Sequence, residues 1–305
     1  MTTVAECLES RYPGDGPRSV YRQALEDVVR EFMESGMADP KYAFEITSGS
    51  DGKFWSCLAE AFIFQRIKHL DLPPRPNLGE GPDFLVQSGA TKIWIEVVCP
   101  APSGVPKDWL NIQVNHAGSV PNDAILLRWT SAIKDKTERL IGTADGKVKG
   151  YLQTGLVSDR DVYVIAVNGC RMRHGPFPAL HGISQFPYAA EAVFPIGPYQ
   201  FRIDRDSLQK VGEGHQMRFH VPKANGSEVP THAFLDPRFQ HISAIWAVDF
   251  NGASVIVNSE PSAIFYNPNA RQHLERGLLV VDDEFIANKS GSAEYTLTQH
   301  RREIE

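Results

Sequence analysis

Apolar residues recur along this chain with two different spacings, and the places where the spacing changes mark out its elements. Over residues 20–36, VYRQALEDVVREFMESG, they follow helical spacing and close on a glycine, which predicts a first helix. Residues 53–70, KFWSCLAEAFIFQRIKHL, predict a second, with Trp55, Leu58, Phe62, Ile63, Ile67 and Leu70 forming a broad apolar stripe and Glu60 set inside it. A Pro-rich connector, DLPPRPNLGEGP, leads into GPDFLVQSGATKIWIEVVCP at 81–100, which reads as two short strands about a tight turn. A loop with several Pro and Gly runs to about 122, followed by a helix predicted at about 125–141 and a strand, DVYVIAVNG, at 161–169. From about 175, Pro- and Gly-rich loops alternate with strands predicted at SAIWAVDF, ASVIVNS and SAIFYN. A short helix near NARQHLERG and a polar tail from 288, expected to be disordered, complete the pattern.

The hairpin carries the first sign of chemistry. If Gly89-Ala90 is a two-residue loop, with Gly first as a type II′ turn prefers, Ser88 pairs with Thr91 and the register follows outward from there. Asp83 then lies opposite Glu96. Directly opposed residues hold their Cβ atoms about 4.5–5.5 Å apart on one face, where like charges repel. A cation between the two carboxylates removes that penalty, and converging hard oxygens with room for water suit Mg²⁺ or Mn²⁺. The competing reading is a surface hairpin with two solvated acids.

Composition narrows the class. The 305 residues, 42% hydrophobic and 22% charged, are ordinary for a globular protein with a sizeable core. No run of about 18 apolar residues occurs, and the start, MTTVAECLESRYPGDG, has no basic region leading into an apolar one, so a soluble, cytoplasmic protein without a membrane partner is expected. Cys7, Cys57, Cys99 and Cys170 form no CxxC pair, which points to reduced, buried thiols rather than zinc or disulfides. A formal net charge of -6 argues against coating nucleic acid by bulk positive charge, so any contact with it must come from a local patch. No helical HxxxH pair, phosphate-binding glycine loop or GxSxG elbow is present.

The order helix, strand, strand, helix, strand, with Pro82-Asp83 at the first strand, Glu96 on the next and Glu60 on the preceding helix, resembles the PD-(D/E)XK, or restriction-endonuclease-like, nuclease superfamily over about residues 50–170. The resemblance implies an α/β fold with a mixed sheet flanked by helices. It divides the chain into an N-terminal helical segment (1–45), a nuclease-like core (46–175), a strand-rich extension of the same domain (176–287) and the tail (288–305). It further implies a divalent-metal-dependent nuclease, with endonuclease cleavage in view, that hydrolyses phosphodiesters of nucleic acid, DNA before RNA, by a metal-activated water. Asp83 and Glu96 would hold Mg²⁺ or Mn²⁺, the Val97 carbonyl would complete the shell, and Glu60 would bind a second ion or a ligand water. A Glu between Ala59 and Ala61 and beside Phe62 and Ile63 is costly to bury alone, which a metal site would relieve; the alternative is that it faces solvent.

One motif residue is missing. The family lysine belongs two positions after the second acid, where this chain has Val98, on the face of Glu96 by alternation. Lys134 and Lys136 flank the apolar stripe of the 125–141 helix, one on each side, and helical angle does not choose between them. Lys136 is favoured because it follows Trp129 by seven residues and precedes Leu140 by four, and because some members of the superfamily carry the lysine on a neighbouring helix. Replacing it is expected to abolish cleavage with little loss of stability. Both lysines also fit a solvated charge run beside Asp135, Glu138 and Arg139. Arg128, Gln65 and the basic turn Arg171, Arg173 and His174 are weaker candidates for phosphate contact. Two rival readings stand beside the enzyme: an inactive nuclease-fold protein that binds nucleic acid or regulates, and an α/β interaction protein with a coincidental hairpin. A homodimer stays open.

Overall fold

The hairpin forms in the register its turn dictates. In the computed structural model, which describes residues 2–73, 81–111, 118–174, 181–257, 261–289 and 295–302, β1 (Phe84–Ser88) and β2 (Thr91–Val98) pair antiparallel. Ser88 lies opposite Thr91 and Phe84 opposite Ile95, with Gly89 at φ +57° in the turn. Four helices come first: α1 (Val4–Arg11), α2 (Pro17–Glu34), α3 (Tyr42–Ile46) and α4 (Asp51–Ile67). After β2 the chain runs through α5 (Lys107–Leu110), α6 (Asn122–Ile141) and α7 (Tyr151–Thr154) into β3 (Val162–Asn168), parallel to β2. The crossover is of the helical kind that parallel strands require.

Strands later in the chain continue the same sheet. Past α8 (Tyr188–Val193), two small hairpins stand apart from it: β4 (Ile196–Ile203) with β5 (Lys210–Met217), and β6 (His220–Pro222) with β7 (Glu228–Pro230). The chain then returns in β8 (Ala244–Val248), α9 (Gly252–Val257), β9 (Ser262–Tyr266), β10 (Asp283–Lys289) and β11 (Tyr295–Arg301). The result is a mixed seven-stranded sheet, ordered β1-β2-β3-β8-β9-β10-β11, flanked by helices as the α/β expectation requires. Strands β3 and β8 are buried throughout, which explains why each reads as an unbroken apolar run rather than an alternation.

The sheet separates two cores. On one face, Ile93, Ile95 and Val97 of β2 pack with Leu25 and Phe32 of α2 and with Phe54, Leu58 and Phe62 of α4. On the other, Trp94 of β2 and Tyr163, Ile165 and Val167 of β3 pack with Leu126, Trp129 and Ile133 of α6 and with α8. Alternation along β2 therefore assigns Glu96 to the α6 face. All four cysteines are free and buried. No helix among the described residues is long and apolar enough to cross a membrane.

Three expectations need correction. ASVIVNS is helical over 252–257, its last two residues lying outside the described ones. Asn251 supplies the reason: its side chain accepts from the Ala253 N–H and its own N–H donates to Ser254 Oγ, a polar start that overrides the β-branched run. NARQHLERG forms turns, not a helix, because Asn267 and Asn269 donate to the carbonyls of Ile242 and Phe234 and hold the backbone in a loop. The polar tail contributes β11, which pairs with β10 along 283–289 and forms the sheet edge. Its alternating polar face is what an edge strand presents to water.

Candidate active site

Asp83 immediately precedes β1, and continuing the hairpin register by one pair sets it opposite Glu96. Its Oδ2 accepts the Val97 N–H at 2.6 Å, which fixes the carboxylate against the neighbouring strand. Glu96 is 1% exposed. A carboxylate that deep must be paired or lose its charge. Lys136 supplies the pairing: its Nζ donates to Glu96 Oε1 at 2.6 Å, and its side chain is 12% exposed. Arg139, one turn further along α6, donates from Nη1 to the same oxygen at 3.3 Å, and Tyr163 Oη approaches Oε2 at 3.5 Å.

The helix explains this convergence. Trp129, Ile133 and Leu140 bury one stripe of α6 against the sheet, and Lys136 and Arg139, three residues apart, share the edge of that stripe nearest Glu96. Behind them, Gly150 lets α7 approach closely, since a Cβ there would collide with the Gly142 nitrogen and the Leu140 carbonyl. That approach sets Tyr151 beside Arg139, close enough for each to act on the other's charge.

Electrostatics follow from burial and neighbours. Burial, and next the charge of Asp83, push the Glu96 carboxyl above its ordinary range, while Lys136 and Arg139 draw it back. Burial works to weaken Arg139 as a cation, but the charges of Glu96, Tyr151 and Asp83 together outweigh it and hold the guanidinium protonated. Burial and the charge of Glu96 push the Tyr151 phenol up to about 12 and the enclosed Tyr163 phenol well above its ordinary value, so both keep their protons at neutral pH. The group as a whole holds two carboxylates and two cations in balance.

Of the residues singled out in the sequence, Asp83, Glu96 and Lys136 come together. Lys134 does not: its side chain is 62% exposed and reaches Glu138 at 3.5 Å. Val98 sits half-buried on the α6 face, as alternation requires. Val97 turns its side chain to the opposite core and meets the site through its backbone.

Glu60 lies on α4, whose buried apolar residues pack on the sheet face opposite α6, and its charge acts on Tyr42 and Cys57. Helical periodicity cannot reveal which side of a sheet a helix will cover. Among the described residues, no cluster of three or more His, Cys, Asp or Glu side chains assembles that could hold a metal, so Asp83 and Glu96 stand as a pair. The weaker candidates also have other partners. Gln65 donates to Glu31 on the surface, Arg171 pairs with Asp51, Arg173 lies 3.8 Å from Asp249, and His174 stacks on Trp109. Arg128 keeps a buried Nε without a hydrogen bond and lines a cleft of about 890 Å³ between α6 and the β6–β7 hairpin, on the side of α6 away from Glu96.

Three site residues escaped the sequence: Arg139, Tyr151 and Tyr163. Arg139 reads as one more charge on a charged helix, although its spacing of three from Lys136 was a usable signal. Tyr163 reaches Glu96 because β3 runs parallel to β2 with Trp94 opposite Tyr163, a pairing that hydropathy does not encode. Compared with protein-family models, curated proteins and solved structures, the chain matches none of them.

Proposed function

We propose that this protein is a metal-dependent phosphodiesterase of the PD-(D/E)XK type that acts on nucleic acid, DNA before RNA. One observation carries the reading: two carboxylates opposed across a hairpin meet a lysine whose Nζ lies 2.6 Å from Glu96 Oε1, with Val98 in the position where the family has its lysine. The side chains fit a divalent ion in their chemistry. Asp83 and Glu96 offer hard oxygens, burial and then their mutual repulsion raise the Glu96 carboxyl, and two protein ligands leave the remaining positions to water and phosphate, as Mg²⁺ prefers. Such an ion would supply Lewis-acid polarisation of the phosphate and acidify a water. Asp83 and Glu96 would hold it, with the Val97 carbonyl the nearest backbone donor in sequence. Lys136 would orient Glu96 and stabilise negative charge developing on the reacting phosphate, the work of the missing motif lysine.

Purified protein incubated with linear duplex, supercoiled and single-stranded DNA, with Mg²⁺ or Mn²⁺, is expected to cleave at least one substrate, and Asp83→Asn to abolish it. Wild-type rates equal to those of Asp83→Asn on every substrate would refute an enzymatic role. The second reading, a nuclease-fold protein that binds without cutting, draws on a specific feature: Lys136, Arg139 and Tyr163 already satisfy Glu96 without any added cation. It predicts DNA binding with no cleavage and no change in thermal midpoint on adding either metal.

A further inference from the structure

We infer that Arg139, supported by Tyr151, is the phosphate-binding arm of this site and takes a non-bridging oxygen of a nucleic-acid phosphodiester. The inference rests on the nuclease reading for its class of substrate and adds the group that grips it. Two cations meet Glu96, and they are not equivalent. Lys136 is 12% exposed and 2.6 Å from Oε1, a committed partner, whereas Arg139 is 61% exposed and reaches the same oxygen at 3.3 Å. A guanidinium has five N–H donors in a planar fork; Glu96 occupies one edge of this one, and the exposed remainder is free to meet an anion. Carboxylates and phosphates are bound by that fork bidentately, with charge-assisted bonds roughly twice as strong as neutral ones.

Tyr151 fixes the arm. Its hydroxyl lies near Arg139 and, with the phenol pushed up to about 12, carries its proton throughout the neutral range. When the oxygen accepts from Arg139, its O–H is left to donate to the same anion. Glu96 and Tyr151 together limit the rotamers of an otherwise mobile side chain, so less entropy is lost when phosphate binds. Charge balance points the same way. Asp83 and Glu96 cancel Lys136 and Arg139, so a divalent ion at the carboxylates would leave two positive charges uncompensated, the condition that an anionic backbone relieves.

The test measures binding, not turnover. Anisotropy of a fluorescein-labelled single-stranded oligonucleotide is followed in EDTA from about 50 to about 200 mM salt, where each phosphate contact on a single strand adds about 0.7 to the slope of log affinity against log salt. Arg139→Gln is expected to weaken binding about 10-fold, the loss of one charge-assisted hydrogen bond, and to flatten that slope by about 0.7. Arg139→Lys keeps the charge but loses the fork, so it should keep the slope and still bind about 5-fold more weakly. It also guards against a glutamine variant that fails to fold. Lys134→Ala, outside the site, serves as the control for general loss of positive charge. Wild-type affinity and slope in the folded Arg139 variants, or a loss equal to that of Lys134→Ala, overturn the inference and leave the nuclease reading standing. A wild type that neither binds nor cleaves DNA overturns both.

Discussion

Removing the Lys136 ammonium should destabilise the fold, and should do so most at neutral pH. Lys136→Ala leaves Glu96, 1% exposed, with only the longer contact from Arg139 and the Tyr163 hydroxyl. Breaking a buried ion pair by deleting one partner costs about 3–5 kcal/mol. The structure offers Glu96 one escape, which is to take a proton. From an ordinary carboxyl value of 4.5, protonation at about pH 7 costs about 3.4 kcal/mol, at about 1.36 kcal/mol per pH unit. Neutralisation therefore caps the electrostatic loss, and the two routes agree on about 3 kcal/mol. The sequence-based expectation of little loss treated Lys136 as a flanking charge; the fold makes it a buried partner, which reverses the expected outcome. The sign of the pH dependence follows. Glu96 already titrates above its unfolded value, and losing Lys136 raises it further, so the folded variant holds a proton that the unfolded chain releases. Its stability relative to wild type is thus best preserved in acid and is lost as pH rises above the wild-type Glu96 value. Urea unfolding followed by circular dichroism between about pH 5 and about pH 8 should show the deficit growing by up to about 1.36 kcal/mol per pH unit. Lys134→Ala should fall within about 0.5 kcal/mol of wild type throughout, as an exposed pair. A deficit under about 1 kcal/mol, or one of constant size across that pH range, would refute the pairing, since lost methylene packing is insensitive to pH.

Further outcomes follow from the same geometry. Asp83→Asn keeps an oxygen for the Val97 N–H while removing a like charge from Glu96, so the metal-free variant should unfold at equal or up to about 1 kcal/mol higher stability, yet lose any thermal shift with Mg²⁺ or Mn²⁺. Glu60→Gln should leave that metal-induced shift unchanged, because the sheet lies between Glu60 and the carboxylate pair; a reduced shift would return Glu60 to the site. Tyr163→Phe removes the hydroxyl 3.5 Å from Glu96 Oε2 and should cost about 1 kcal/mol in urea unfolding, with no change if that long contact carries no bond.

The sequence by itself determined what short-range physics controls. The two-residue Gly-Ala loop specifies the β1–β2 register, and with it the opposition of Asp83 and Glu96, because loop length fixes which residues pair outward from the turn. The long periodic helices α2, α4 and α6 were legible for the same reason, since an apolar stripe can be counted along a single segment. What the tertiary structure decided is which segments face one another. ASVIVNS has strand composition, yet a local Asn start and packing on α2 make it α9. The stripe of α4 showed that Glu60 lies on a packed helix, but not that this helix covers the sheet face opposite Glu96. Lys134 and Lys136 flank their stripe symmetrically, and only the docking of α6 beside β2 and β3 buries one at 12% exposure and leaves the other at 62%. Arg139, Tyr151 and Tyr163 join the site through contacts spanning 43, 12 and 67 residues of chain respectively. Local hydropathy carries no record of pairings at such separations, because they depend on how finished elements pack rather than on how each one forms.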